Sequence, residues 1–318
     1  MKRSYSEFLL ANSTVPIFCR DWWLDIVCES GDWNVAVVQK GGIVVATMPY
    51  YIKRQYGLTL LSHPPLTQVL GPWLRPSNAK YAKALGEQKD LMQALVDQLP
   101  PFHHFSQNWH YTNTNWLPFF WLGFQQTTRY TYVLQHLTDE KLLWEGIQEN
   151  IRTDVRKAEG RFKLRVRDDL GLDAFLRLNK MTFQRQGLSL PYSIGLVQRL
   201  DAACEARHCR KIWIAEDPEG RHHAGVYVVW DENSAYYIMG GGDPELRNSG
   251  ATSLCMWTAI RHAATVTKRF DFEGSMMEPV ERFFRGFGAV QTPYFNVVKT
   301  PSRLLQTGEA LRRLIKPA

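Results

Sequence analysis

The stretch from residue 211 to residue 299 constrains the fold more than any other part of the chain. Three strand patterns, 211–216, 222–230 and 235–239, follow one another. Asp217-Pro218-Glu219-Gly220 and Asp231-Glu232-Asn233 are the turns between them. A glycine-rich loop over 240–250 opens a helix at 251–265, then come a strand at 269–272, a helix at 280–287 and a strand at 294–299. Strands this close together pair as hairpins, while a helix between two strands needs a crossover. The order predicts an α/β domain whose mixed, mostly antiparallel sheet is flanked by helices.

Upstream, 193–207 reads as a helix with Leu196, Val197, Leu200 and Cys204 facing in. Arg161, Lys163, Arg165 and Arg167 alternate with Phe162, Leu164 and Val166, which predicts a half-buried strand with a basic outer face. Thr138 is placed to cap one helix that begins with Asp139 and Glu140 and buries Leu143, Ile147 and Ile151. Nearer the start, 19–28 reads as a short apolar helix. Strands 33–39 and 43–52 are joined by Lys40-Gly41-Gly42 as a tight hairpin. Four prolines over 55–80 predict a long loop, and the Leu91, Leu95, Leu99 ladder a helix over 82–99 that Pro100-Pro101 ends. Strands are expected at 102–106 and 130–134.

An internal echo joins the two regions. At an offset of 164 residues, Phe119/Phe283, Phe120/Phe284, Thr128/Thr292, Tyr130/Tyr294 and Val133/Val297 are identical. The matching element order predicts a duplicated unit, with domains at 1–135 and 136–318. The second copy has Asp271-Phe272-Glu273-Gly274-Ser275 where the first has His104-Phe105-Ser106-Gln107. Carboxylates occur there only in the second, so chemistry is expected in it and a scaffolding or recognition role in the first.

Composition removes several classes. Of 318 residues, 45% are hydrophobic and 22% charged, which excludes a disordered or collagen-like chain. The formal charge of +7 suits anionic partners without requiring nucleic acid. Five cysteines without paired spacing argue against a disulfide framework and for a reducing compartment, and no apolar window suits a membrane helix. A cytoplasmic protein without a targeting segment is expected. Adjacent histidines, His103-His104 and His222-His223, point opposite ways on a strand, so no metal site is expected. Trp109, Trp116 and Trp121 are candidates for stacking on sugar rings or for the core.

The densest chemical signal is Arg247-Asn248-Ser249-Gly250-Ala251-Thr252 between a strand and a helix. Free N–H groups at a helix start bind anions, small residues allow a phosphate to approach the backbone, and Arg247 adds charge. This pattern, Arg-x-x-Gly-x followed here by Thr252, resembles the acyl-CoA site of the GNAT N-acyltransferase superfamily. Asp271 to Ser275, Phe283-Phe284-Arg285-Gly286-Phe287-Gly288-Ala289 and the Asn150-Ile151-Arg152 to Arg156-Lys157-Ala158 segment are similar to the FemAB-like branch.

The resemblance implies two tandem GNAT-like domains and an acyltransferase. Its members include peptidoglycan-bridge aminoacyltransferases that use aminoacyl-tRNA and acetyltransferases linked to cell-envelope polysaccharides. The donor is then acetyl-CoA or another acyl-CoA, held by Met239, Gly240, Gly241 and residues Arg247 to Thr252. The acceptor is an amine of a cell-envelope sugar or peptide, lipid-linked or polysaccharide. Arg152, Arg156, Lys157 and Arg285 are candidates for binding it. Glu273 is the first candidate base and Asp271 its neighbour; Tyr236, Tyr237 and Ser275 can protonate the leaving group. Backbone N–H groups near Met239–Gly241 are expected to face the oxyanion. Two other readings stay open: an aminoacyltransferase drawing on charged tRNA through the basic segment, and a non-enzymatic binding protein.

Overall fold

The structure, a computed structural model, describes residues 1–29, 31–274 and 276–307. In chain order the elements are α1 (Lys2–Leu10), α2 (Asp21–Val27), β1 (Asp32–Lys40), β2 (Ile43–Gln55), β3 (Leu58–Ser62), β4 (Trp73–Leu74), α3 (Tyr81–Val96), β5 (His104–Asn108), α4 (Leu117–Trp121) and β6 (Gln125–Leu134). They continue with α5 (Glu140–Gly146), α6 (Glu149–Gly160), β7 (Arg165–Arg167), α7 (Gly171–Arg185), α8 (Ile194–Glu205), β8 (Arg210–Glu216), β9 (His222–Trp230), β10 (Ala235–Gly242), α9 (Ala251–Val266), β11 (Phe270–Asp271), α10 (Glu278–Arg285) and β12 (Val290–Lys299). The chain divides into two compact units, Met1–Arg129 with the chain from Pro293 onward, and Tyr130–Thr292.

The first unit has strand order β1-β2-β3-β5-β12, with β4 on β2. Gly41 and Gly42, both at positive φ, make the β1–β2 turn. β3 lies parallel to β5, and β12 antiparallel to it. Tyr50, Leu61, Phe105, Trp109, Phe119 and Val297 form the core with Leu91, Met92 and Leu95 of α3.

The second unit has order β6-β11-β10-β9-β8-β7. β8, β9 and β10 pair antiparallel, and β10 runs parallel to β11. Their apolar faces bury α9, whose Leu254, Cys255, Met256, Trp257, Ala259, Ile260 and Ala263 are all inside. A helix apolar on most sides must be enclosed on most sides.

The echo is a structural repeat. α4 leads into β6, and α10 into β12. In the second unit Val133 of β6 lies opposite Asp271, and in the first Val297 of β12 lies opposite Gln107. Both pairs keep the offset of 164. The closing strand of each unit is therefore supplied by the other half of the sequence, and for this reason the boundaries fall at 129/130 and 292/293 rather than only near 135.

Several elements differ from expectation. Residues 161–164 are not strand: Leu164 N–H donates to Ala158 O at 2.9 Å and Lys163 turns the chain at φ 51°, so only Arg165–Arg167 pairs with β8. The expected helix from 139 is two helices, because Gln148 is extended and its N–H donates to Gly286 O at 2.8 Å. Asp139, not Thr138, caps α5 by accepting from Leu142 N–H at 3.1 Å. Within 55–80, Tyr56 and Gly57 at positive φ turn β2 back into β3. The sequence patterns predict neither α1 nor α7. α7 buries Ala174, Phe175, Leu178 and the polar Asn179, which interrupts its apolar stripe.

Candidate active site

The helix that the glycine loop opens starts as the sequence requires. Gly250 is left-handed at φ 82° and serves as the N-cap of α9. A Cβ at Gly250 would overlap the backbone carbonyl of Asp154, so α6 is pressed against the loop. Helix geometry leaves the N–H groups of Thr252 and Ser253 without intrahelical partners. They border a cavity of about 250 Å³ lined by Asp154, Arg247, Gly250, Thr252, Ser253 and Phe283. Asp154 is neutralised by Lys157 Nζ at 2.6 Å. Arg247 and Asn248 are exposed, Ser249 and Ala251 buried, and Arg247 has no ion pair among the described residues. Helix N–H groups, a glycine and an unpaired guanidinium around a small cavity fit a phosphate or pyrophosphate.

A notch opens between β10 and β11. They pair only at Ala235↔Phe270 and Tyr236↔Asp271, whereas β10 runs on to Gly242. Asp243 N–H donates to His223 O on β9 at 2.9 Å, so Gly240 and Gly242 turn their backbone groups to the opposite edge. α7 takes most of them. Asn179 Nδ2 donates to Gly240 O at 2.7 Å, Gly242 N–H donates to Thr182 Oγ1 at 2.9 Å, and Tyr192 Oη donates to Asn179 Oδ1 at 2.9 Å. A Cβ at Gly241 would overlap the α7 backbone at Asn179. The Gly240 N–H is left facing the notch. Tyr237 packs its hydroxyl over Gly240, and burial, with Tyr192 and Cys255 adding to it, raises its pKa, so it stays a donor at neutral pH. Met239 is buried. Sequence reasoning missed Asn179, Thr182 and Tyr192; the one available signal was a polar residue on the apolar stripe of 171–185.

Asp271 and Glu273 stand at the far side of the notch. Asp271 is 4% exposed, accepts a short hydrogen bond from Thr131 Oγ1, and accepts from Glu273 N–H at 2.8 Å. Burial raises its pKa from 3.8 to about 6, against the lowering by those two bonds. Glu273 is left-handed at φ 58°, and Gly274 follows at φ 46° with its Cα against the Tyr130 carbonyl. A non-glycine residue held there stores strain, as residues at reactive positions often do. The Glu273 carboxyl has no hydrogen bond or ion pair among the described residues. Burial, and next the Asp271 charge, push its pKa well above the usual carboxylate range. Ser275 lies outside the described residues.

The buried Asp271 opposes folding once it is ionised. Its folded pKa is raised, so the folded chain binds more protons than the unfolded one between about pH 4 and 6, and stability falls as pH rises through that window. A two-unit rise corresponds to about 2–3 kcal/mol. Asp271→Asn is therefore expected to stabilise the protein at pH 7 by that order and to flatten the difference between pH 4 and 6. Urea unfolding of both proteins across this range is the check; equal stability at pH 7 would contradict it.

The cationic candidates are engaged elsewhere. Arg152 and Arg156 both pair with Glu149, Lys157 with Asp154, and Arg285 with Glu281. The structure does not gather them around the notch carboxylates. Arg161, Lys163 and Arg165 are exposed without ion pairs among the described residues. Trp109 belongs to the first unit's core, while Trp121 is 59% exposed. The first unit's equivalent notch is closed by its own chain: His63 Nε2 accepts from Asn108 N–H at 2.5 Å, its Nδ1 lies 3.1 Å from Thr67 O, and Leu70 bridges to Trp109. With both ring nitrogens in use, burial lowers the His63 pKa to about 4, so it is a neutral plug.

A parallel pair that splays apart, a glycine-opened helix between its two strands and Asp271 on the shorter strand are the arrangement of a GNAT-type acyltransferase fold. Residues 147–284 match the family model of the GNAT acetyltransferase domain. No curated protein matches the chain in sequence. Among solved structures it is similar to FemX, at 13% identity and TM-score 0.70, over 96% of this chain and 98% of that one. It is also similar to L-PGS from Bacillus licheniformis, at 10% identity and TM-score 0.54, over 100% and 98%. These likenesses establish the tandem GNAT-like fold. No helix among the described residues is long and apolar enough to cross a membrane.

Proposed function

We propose that this protein is an N-acyltransferase that moves an acyl group from acyl-CoA to an amine of a cell-envelope sugar or peptide, from the cytoplasmic side. The observation that carries the donor is the α9 N-terminus, where Gly250, Thr252, Ser253 and Arg247 border a phosphate-sized cavity. Acyl-CoA supplies the thioester. Arg247 and the α9 N–H groups hold its pyrophosphate, and the Gly240 N–H donates to the acyl oxygen as it becomes negative. Glu273 takes the proton of the attacking amine, directly or through water, and its raised pKa suits that task. Tyr237 returns a proton to the leaving thiolate. Asn179 and Thr182 hold the edge of β10 so that the donor faces the notch.

Calorimetric titration with acetyl-CoA tests the reading. Micromolar binding is expected, weakened at least about tenfold in Arg247→Ala, which removes a charge-assisted contact of about 1.5–3 kcal/mol. No heat up to millimolar concentration would overturn it. A second reading, transfer of an aminoacyl group from charged tRNA, is favoured by the unpaired Arg161, Lys163 and Arg165. It expects tRNA binding that weakens steeply with salt and is lost in Lys163→Glu with Arg165→Glu.

A further inference from the structure

A cavity of the first unit lies away from the notch residues named above. It measures about 750 Å³, within the range of small-molecule sites. β5, the loop after α4, β6 and the end of β12 build it, and Gln306 closes one side. Its chemistry is selective. Gln125, Gln126, Asn296 and Gln306 contribute carboxamides, Thr127 and Thr300 hydroxyls, and Lys299 a charge. No lining residue is a carboxylate, so a metal or organic cation finds no counter-charge. None of the lining residues is Phe, Tyr or Trp, so a nucleobase finds no such platform. Val298 and Pro301 are too little apolar surface for an acyl chain.

Several of these groups are already oriented. Lys299 Nζ donates to Leu122 O at 2.7 Å and sits 4.9 Å from the Phe124 ring, which fixes the ammonium while leaving it further N–H donors. Asn296 spends its Nδ2 on Ser106 Oγ and Asn108 Oδ1, at 3.3 and 2.9 Å, leaving its Oδ1 as an acceptor. Gln306 Nε2 donates to Thr300 O at 2.7 Å, which leaves its Oε1 likewise. His104 Nδ1 lies 2.9 Å from Thr300 Oγ1. Carboxamides offer donor and acceptor side by side, the pattern that adjacent ligand hydroxyls require. One fixed ammonium without a carboxylate nearby suits an anion, to which it can make a charge-assisted hydrogen bond.

We infer that the first unit holds a binding site for an anionic carbohydrate, a sugar ring carrying a phosphate or a carboxylate. The inference does not rest on the acyl-transfer reading, because no residue of the notch or of the α9 cavity takes part.

Saturation-transfer NMR and calorimetry with glucose 6-phosphate, glucuronate, glucose and inorganic phosphate test it. At least one acidic sugar is expected to bind about tenfold or more tightly than both glucose and inorganic phosphate. Lys299→Met should weaken it at least about tenfold. Gln125→Glu, at an exposed position, puts a carboxylate in the cavity without touching the core, and should do the same with an unchanged melting temperature. Arg247→Ala should leave sugar binding as it was. Binding of inorganic phosphate as tight as that of the sugars reduces the site to an anion hole and overturns the inference. So does the absence of any sugar signal at about 10 mM, a concentration at which even millimolar ligands saturate, or binding indifferent to both variants.

Discussion

Glu273→Gln is expected to lower kcat for acyl transfer at pH 7 by about 10²- to 10³-fold, the usual effect of losing a positioned base. Acetyl-CoA affinity should stay within about twofold, since Glu273 is not among the residues lining the α9 cavity. The glutamine is close in size, so the strained turn at φ 58° is kept and the change is chiefly one of charge. The Asp271 charge adds to burial in raising the affinity of the Glu273 carboxyl for protons. The wild-type rate should therefore rise with pH along a limb displaced above the ordinary carboxylate range. Removing the Asp271 charge with Asp271→Asn should move that limb to lower pH. A Glu273→Gln enzyme with an unchanged rate and the same limb would remove this carboxyl from the mechanism.

Gly250→Ala should produce the largest combined loss of stability and donor binding. A methyl group there must occupy the Asp154 carbonyl, and the left-handed φ is unfavourable for alanine as well. Strain of this kind costs about 1–3 kcal/mol when neither backbone can yield. If α6 yields instead, the α9 N-terminus loses its setting and acetyl-CoA binding weakens about tenfold or more. Gly86→Ala is the control. Gly86 lies inside α3 with open space at its Cβ, so alanine should stabilise the protein by about 0.5–1 kcal/mol. Thermal melts and titrations of both variants decide the matter; a Gly250→Ala protein as stable and as competent as the wild type would refute the tight approach of α6.

Much of the second unit was legible because its signals are local. The turns after β8 and β9, the glycine loop and the apolar α9 each declare themselves within about ten residues. Asp271 and Glu273 were legible as candidates from their place at the end of a strand. Asn179, Thr182 and Tyr192 were not. Their role depends on how α7 packs against β10, which no spacing encodes. Nor could alternation alone place 161–164: the pattern of a strand was there, but the hydrogen bond from Leu164 to Ala158 holds the segment to the end of α6. The repeat itself was visible in five identities, yet β6 and β12 carry the same pattern, so the sequence could not say which unit each strand closes.

That exchange of closing strands governs how the protein can be made. β5 is finished early in synthesis, but its neighbour β12 pairs Phe105 with Lys299, 194 residues later. During translation the first half must wait with a strand edge open, and such edges invite aggregation. Pairings this distant in sequence also carry a heavy loop-closure entropy and slow the search for the native state. A cut near residue 135 would leave the downstream fragment without β6 and the upstream fragment without β12. Neither piece alone holds every strand of its sheet, but mixed together they hold every strand each needs.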